Sequence, residues 1–373
     1  MAGAAVLLST TRCGSASPRE NNRRAYTEGD YHNALVIDAL GTLDDPITGE
    51  LPESPPSERL LRDLQLSGVT ALSVTLSVGT EGNLFDKVLR KIALMDEKVA
   101  AAPAVLTRIR TISDLKSARQ TRHIGLIYNI QNTLLLESDL SRVAILEALG
   151  LRQVQLTYNV RNAAGDGCLE PSNAGLSNFG RELIGELEAR RLVVDLSHAS
   201  QRTISEGITR AHRPPIISHT GCRDVTNHPR NVFDTELRAL ADKGGVAGIY
   251  FMPFLTSSGT ASASDLIRHL EHAINVCGEE HVGLGTDGRV SEVVLDEAYR
   301  DNLRRELANR RAQGIAAPGE GAKAYELIPE YNGPLKFLGL ARDLSRRGWP
   351  ARRIERVLGA NFARVYGEVW GER

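Results

Sequence analysis

Paired cysteines are missing from this chain: Cys13, Cys168, Cys222 and Cys277 stand far apart, with no CxxC spacing. That argues against both a thiolate zinc site and a disulfide framework. Long apolar runs are missing too, since none approaches the roughly 20 residues that a membrane-spanning helix needs. Neither sign of charge is in excess, with 45 Lys and Arg against 46 Asp and Glu and a formal net charge of −1. No basic stripe of the kind that binds nucleic acid is present. The Arg-rich stretch "RRELANRRAQ" (304–313) alternates with acids and apolar residues, as a solvated helix face does. No G-x-S-x-G elbow occurs, so a nucleophilic serine of that type is not indicated. Internal repeats and low-complexity tracts are absent as well.

What is present is ordinary soluble composition, 42% hydrophobic and 24% charged over 373 residues. That length suits two average domains or one large α/β barrel. The opening "MAGAAVLLSTTRCGSASP" carries a short apolar stretch, Ala4 to Leu8, followed by small and polar residues. It reads either as the tail of a secretory signal without its basic front or as a disordered leader. Arg12 directly before Cys13 does not suit a lipid-anchor box. Residues 1–30 are set apart as leader and 31–373 as one domain. Periplasmic or envelope export follows from the first reading, a cytoplasmic location from the second.

Short Val- and Ile-rich runs recur: 34–38, 69–76, 124–130, 154–158, 192–197, 215–219, 246–251 and 282–287. Their apolarity is continuous rather than alternating, which marks strands buried on both faces of a parallel sheet. Between them lie helical segments such as 138–150, opening on a capping Ser138, then 177–191 and 262–278. Eight such units predict an α/β fold, a (β/α)8 TIM-type barrel, with a doubly wound sheet as the runner-up. A long insertion follows the eighth strand, from 289 to about 334, and reads as a lid or a passive surface excursion. "GLGTDG" (283–288) matches G-x-G-x-x-G, but no strand and acid follow it as a dinucleotide site requires, so the match is read as accidental.

Barrel chemistry collects at the C-terminal strand ends, which here carry Asp38, Gln131, Tyr158, His198, His219 and Asp287. "DLSH" delivers His198, "ISHT" delivers His219 and "GLGTD" delivers Asp287. Two imidazoles and a carboxylate on separate strands can converge on one divalent ion, and zinc favours that mixture.

The series "LGLRQVQLTYN" (149–159), "GLSNFGRELIGELEARRLVVDLSHAS" (175–200), "PPIISHTGCRDVTNHPRNVFDTELRALADKGGVAGIYF" (214–251) and "VLGANFARV" (357–365) resembles the membrane dipeptidase (renal dipeptidase) family of the amidohydrolase barrels. That resemblance implies a two-zinc dipeptidase scaffold. It implies His198 and His219 as ligands of the second metal, and Asp287 as the strand-eight acid and proton-handling group. Arg230 in "HPRN" is implied to grip a substrate carboxylate, which suits a bidentate guanidinium. The family's His-x-Asp pair on strand one falls at Leu40 and Thr42, its bridging Glu at Gln131, and a His after strand four at Tyr158, taken here as substrate-binding. Leu cannot coordinate, and Thr and Gln are weak neutral donors, so the first metal loses three of its four protein ligands.

The expected cofactor is therefore one zinc ion, and the expected substrate a dipeptide or related small amide with a free carboxylate. No nucleic-acid partner and no membrane span are expected, and a homodimer is the candidate assembly. Three functions compete: a hydrolase with one metal or an altered site, an inactive descendant that binds a small carboxylate or a protein, and changed hydrolase or isomerase chemistry on a non-peptide metabolite.

Overall fold

The computed structural model describes residues 25–45, 55–77, 82–321 and 324–371. Ten strands share one sheet: β1 (Ile37–Thr42), β2 (Ala71–Thr75), β3 (Leu106–Arg108), β4 (Ile124–Ile130), β5 (Leu151–Gln155), β6 (Val193–Asp195), β7 (Ile216–Thr220), β8 (Val246–Ile249), β9 (Val282–Leu284) and β10 (Gly288–Arg289). The order is β10-β1-β2-β4-β5-β6-β7-β8-β9, with β3 added beside β4. Among the described residues every pairing between these strands is parallel.

The two ends of that order belong to one stretch of chain. β9 pairs with β8 through Val282 opposite Ala247, and shortly afterwards β10 pairs with β1 through Gly288 opposite Gly41. Between them the Asp287 N–H donates to the Leu40 carbonyl at 2.8 Å. An eighth strand broken in the middle thus joins both edges, and the ring closes as the expected (β/α)8 barrel. Closure removes the unpaired strand edge that an open sheet would expose.

Continuous apolarity has the predicted meaning, since all seven residues of β4 and all five of β7 are buried. Two strands escaped the sequence because β3 and β10 are too short to show a period. The strand expected at 154–158 forms earlier, as β5. Arg152 and Gln153 mask the apolar run, yet Arg152 reaches out to Glu147 at 3.0 Å while Gln153 donates inward to Asp195 at 3.0 Å.

Helix starts follow hydroxyl caps. Ser177 accepts from the Gly180 N–H, and Ser262 forms a capping box with Asp265. Ser138 is not a cap, contrary to expectation. It sits at φ 62°, and the helix begins at Ser141, whose N–H is taken by the Asp139 carboxylate at 2.9 Å. The expected leader lies largely outside the described residues. Its last part does not, because Thr27 caps the helix Glu28–Asn33, and the buried Tyr31 hydroxyl donates to the Ser67 carbonyl at 2.5 Å.

One end of the barrel is plugged by the C-terminal helix Asn361–Trp370. Its Phe362, Val365, Tyr366 and Trp370 form a buried cluster with Ile37, Ala71, Ile127, Val193, Ile216 and Val246, one residue from each of six strands. The insertion forms the helix Glu297–Ala312 and a returning segment that touches the loops after β5 and β7. Asn159 donates to the Ile315 carbonyl at 2.7 Å, and His228 meets the Pro318 carbonyl at 2.6 Å.

Candidate active site

His198 follows β6 and His219 lies within β7, and the barrel brings their rings together. The two Nε2 atoms are 2.8 Å apart and both side chains are buried. What stands behind each ring fixes its proton. Asn159 gives its amide N–H to Ile315, so its Oδ1 accepts from His198 Nδ1 at 2.6 Å. Behind His219 the chain of hydrogen bonds begins at Asp195, a fully buried acceptor. Its Oδ1 takes the Ser197 hydroxyl at 2.8 Å, Ser197 Oγ meets Ser218 Oγ at 3.1 Å, and Ser218 Oγ meets His219 Nδ1 at 2.9 Å. A carboxylate can only accept, so the donors run from His219 Nδ1–H through both serines to Asp195. This assigns the proton to Nδ1 on both rings, by inference from the network.

Two Nε2 lone pairs therefore face one another at 2.8 Å. They repel unless a cation lies between them. Two imidazoles sharing a tetrahedral zinc stand roughly 3.3 Å apart, as follows from Zn–N bonds of about 2.0–2.1 Å. Burial, with Arg230 nearby, holds both rings well below the usual histidine range, so both are neutral and able to ligate. Their donor chemistry fits one divalent ion.

The expected third ligand does not join them. Among the described residues no three His, Cys, Asp or Glu side chains form a group able to hold a metal. Asp287 lines the same cavity as His198, its backbone at φ 55° and its N–H spent on closing the barrel. Burial lifts its carboxyl to about 6, against the opposing pull of Arg230 and Arg310. His198 (φ 60°) and Asn159 (φ 58°) are also left-handed. Such backbones cost on the order of 1–3 kcal/mol each and cluster at sites where the surroundings impose them.

The cavity itself, about 780 Å³, opens at the barrel mouth and contains Thr42, Gln131, Tyr158, His198, Arg230 and Asp287 on its wall. Six expected site residues thus share one space. Tyr158 stacks on His198, with ring centres 4.1 Å apart and an interplanar angle of 22°, so its ring braces the imidazole as well as facing the cavity. Arg230 is only 3% exposed. Its backbone is held by Thr220 and His228, but its Nη2 has no hydrogen-bond partner among the described residues.

Two of the positions matched to the family's first metal have other engagements, and the third is apolar. Leu40 is buried and absent from the cavity wall, with its N–H turned to Asp38. Thr42 donates to Asp44 at 3.0 Å and Gln131 donates to Thr75 at 2.8 Å. Asp38, expected at the end of the first strand, is instead the second residue of β1, which starts later than its apolar run, and takes the N–H and hydroxyl of Thr286 at 2.7 and 2.6 Å. These residues do not fit a second ion.

Sequence reasoning missed Asn159, Asp195 and Arg310. The first two stand inside quoted motifs, "LTYN" and "DLSH", beside residues whose chemistry drew the attention. Arg310 was read as part of a solvated face. Most of that helix is solvated, with only Leu303 and Leu307 buried, but Arg310 turns into the mouth and pairs with Glu320 at 2.6 Å.

The sequence pattern of the "Membrane dipeptidase (Peptidase family M19)" family matches residues 51–316. "Dipeptidase verJ" of Clonostachys rogersoniana is 30% identical over 223 residues, which are 59% of this chain and 49% of that protein. The chain spans about half the length, or less, of most of the curated relatives it matches. An amidohydrolase from Pseudomonas aeruginosa superposes with a TM-score of 0.80 at 28% identity, over 92% of this chain and 99% of that one. A metallo peptidase from Rhodobacter sphaeroides, liganded with a phosphinate mimic of L-Ala-D-Ala, shares the fold with a TM-score of 0.72 at 16% identity, over 90% and 99% of the two chains. The matched span holds both buried histidines, Arg230 and Asp287, and with the closed parallel barrel it places this chain in the membrane dipeptidase family.

Proposed function

We propose that this chain is a metal-dependent hydrolase of dipeptides or closely related small amides with a free carboxylate, working with one zinc ion. The observation that carries the reading is Arg230. A guanidinium that is buried with a partnerless Nη2, on the wall of the cavity that also holds His198, is under-satisfied until an anion arrives. A dipeptide's terminal carboxylate supplies one in the planar geometry that a guanidinium recognises. The phosphinate dipeptide mimic held by the Rhodobacter enzyme supports the same substrate class.

His198 and His219 would hold the ion, with Asn159 and the Asp195–Ser197–Ser218 chain keeping their Nε2 lone pairs inward. When bound, zinc would supply Lewis acidity toward an amide carbonyl. Arg230 fixes the substrate by its carboxylate and so sets the scissile bond at a constant reach from the histidines. Asp287, whose carboxyl sits at about 6, accepts a proton from water and returns it to the departing amine. The segment carrying Ile315 and Pro318 lies over the loops after β5 and β7 and limits water at the mouth.

The altered positions favour a second reading, an inactive pocket that binds a small carboxylate. Leu40, Thr42 and Gln131 leave no first metal, and two-metal hydrolysis uses both ions. A panel of free dipeptides and their C-terminal amides separates the two. Zinc-dependent cleavage of the free forms, with the amides spared, supports the hydrolase. Competitive binding of the free forms without cleavage supports the binding pocket, and indifference to the carboxylate removes both.

A further inference from the structure

Behind Arg230 and His198 lies a second cavity of about 270 Å³, bounded by the loops 168–173 and 223–233 and the start of the helix Gln201–Arg210. Arg230 and His198 line both cavities and form the partition between them. On the wall of this second space stands Glu236, a carboxylate only 3% exposed. Its Oε1 receives the hydroxyls of Ser205 at 3.3 Å and Thr235 at 3.1 Å. Its Oε2 is buried and has no hydrogen-bond partner among the described residues.

The neighbouring cation does not supply one. Arg223 lies against Phe233, 4.5 Å from its ring centre, and gives its Nε–H to Asn227 at 3.0 Å. Two residues that line this cavity thus carry a buried polar atom with no hydrogen-bond partner among the described residues, the acceptor Glu236 Oε2 and the donor Arg230 Nη2. Leaving either without a partner is costly, and a ligand that satisfies both gains from each.

We propose that this second cavity is a subsite for a primary ammonium group, with Glu236 as its receptor, borne by a ligand whose carboxylate lies on Arg230. The chemistry is that of a short α,ω-diamino acid. It has two sources: the C-terminal residue of a dipeptide, whose side chain passes the partition, or the free amino acid. The carboxylate half rests on the reading of Arg230 given above; the ammonium half rests on Glu236.

Titration calorimetry of the whole chain decides it with four probes: free ornithine, free norvaline, Ala-ornithine and Ala-norvaline. The members of each pair differ only by the terminal ammonium. The ornithine form should bind at least about tenfold tighter in one pair or both, as a charge-assisted contact to a buried carboxylate implies. Preference between the free amino acids assigns the cavity to the free form, and preference confined to the dipeptides assigns it to the substrate side chain. Glu236→Gln, which retains the shape and the contacts to Ser205 and Thr235, should equalise each pair. Equal affinities in the unaltered chain, or no measurable binding of any probe, would overturn the proposal without needing the variant. Since the readout is binding, a chain that cleaves nothing yet prefers ornithine would overturn the hydrolase reading alone.

Discussion

Single side chains here act through what stands behind them. Asn159 can hold His198 in one tautomer only because Ile315 takes its amide N–H, so the insertion contributes to the orientation of the imidazole. Asn159→Ala should lower zinc affinity by about 10–100-fold, measured by competition with a chromogenic chelator, since outer partners of ligating histidines carry effects of that size. Arg230→Ala should cost roughly 2–4 kcal/mol in ligand binding or transition-state stabilisation through loss of a charge-assisted bidentate contact. Unchanged affinity for a carboxylate ligand, with the circular dichroism spectrum intact, would reduce Arg230 to a loop brace. Asp38 offers a test by pH. Burial lifts its carboxyl to about 7 despite hydrogen bonds from Thr286 and Leu40, against about 3.9 in an unfolded chain. The folded state therefore holds this proton more tightly. Its stabilising contribution is complete below about pH 4 and is lost as the pH rises through 7. Relative to Asp38→Asn, the parent should lose up to about 1.4 kcal/mol of unfolding free energy per pH unit within that window. A constant difference in urea midpoints between pH 5 and 8 would contradict it. Histidines and acids at strand ends could be picked out from the sequence because their chemistry is distinctive. Asn159 and the serines could not, since their role exists only once β5, β6 and β7 are side by side.

At the level of elements, the placement of β7 depends on the absence of side chains next to it. A Cβ on Gly248 of β8, or on Gly285 just after β9, would come within 2.0 Å of the Ser218 carbonyl. That carbonyl belongs to the strand that presents His219, so close packing of three strand backbones and the position of a ligand are one fact. Gly248→Ala should destabilise the fold by roughly 2–4 kcal/mol, as forced overpacking of a buried site does. Thermal unfolding indistinguishable from the parent would show that the sheet can open there at no cost. The strands themselves were legible as continuous apolar runs, because both faces of each are covered. β5 was misplaced because Arg152 and Gln153 look polar in sequence, while in the fold Arg152 pairs outward with Glu147 and Gln153 bonds inward to Asp195. Closure through a broken eighth strand was hidden, since β10 is two residues long and gains meaning only by pairing with β1.

For the molecule as a whole, the question is how many ions a barrel of this family can hold when one half of the site has changed. The imidazole pair has its protons turned away from a shared point, and the cavity wall elsewhere carries Thr42 and Gln131, with Leu40 buried outside that wall. Leu40→His, Thr42→Asp and Gln131→Glu together should restore ligands there. Without metal the added carboxylates would face Asp287 and repel it, so the triple variant should melt below the parent in chelator and recover with zinc, which binds only the folded state. A folded triple variant that takes up no extra zinc would show that the three positions do not converge. The most direct test needs no substrate: elemental analysis of the unaltered chain, dialysed after saturation with zinc, beside His198→Ala and His219→Ala. One equivalent per chain, lost in either variant, is the result expected of two neutral imidazoles aimed at a single ion. Two equivalents retained by the parent, or one retained equally by both variants, would contradict it.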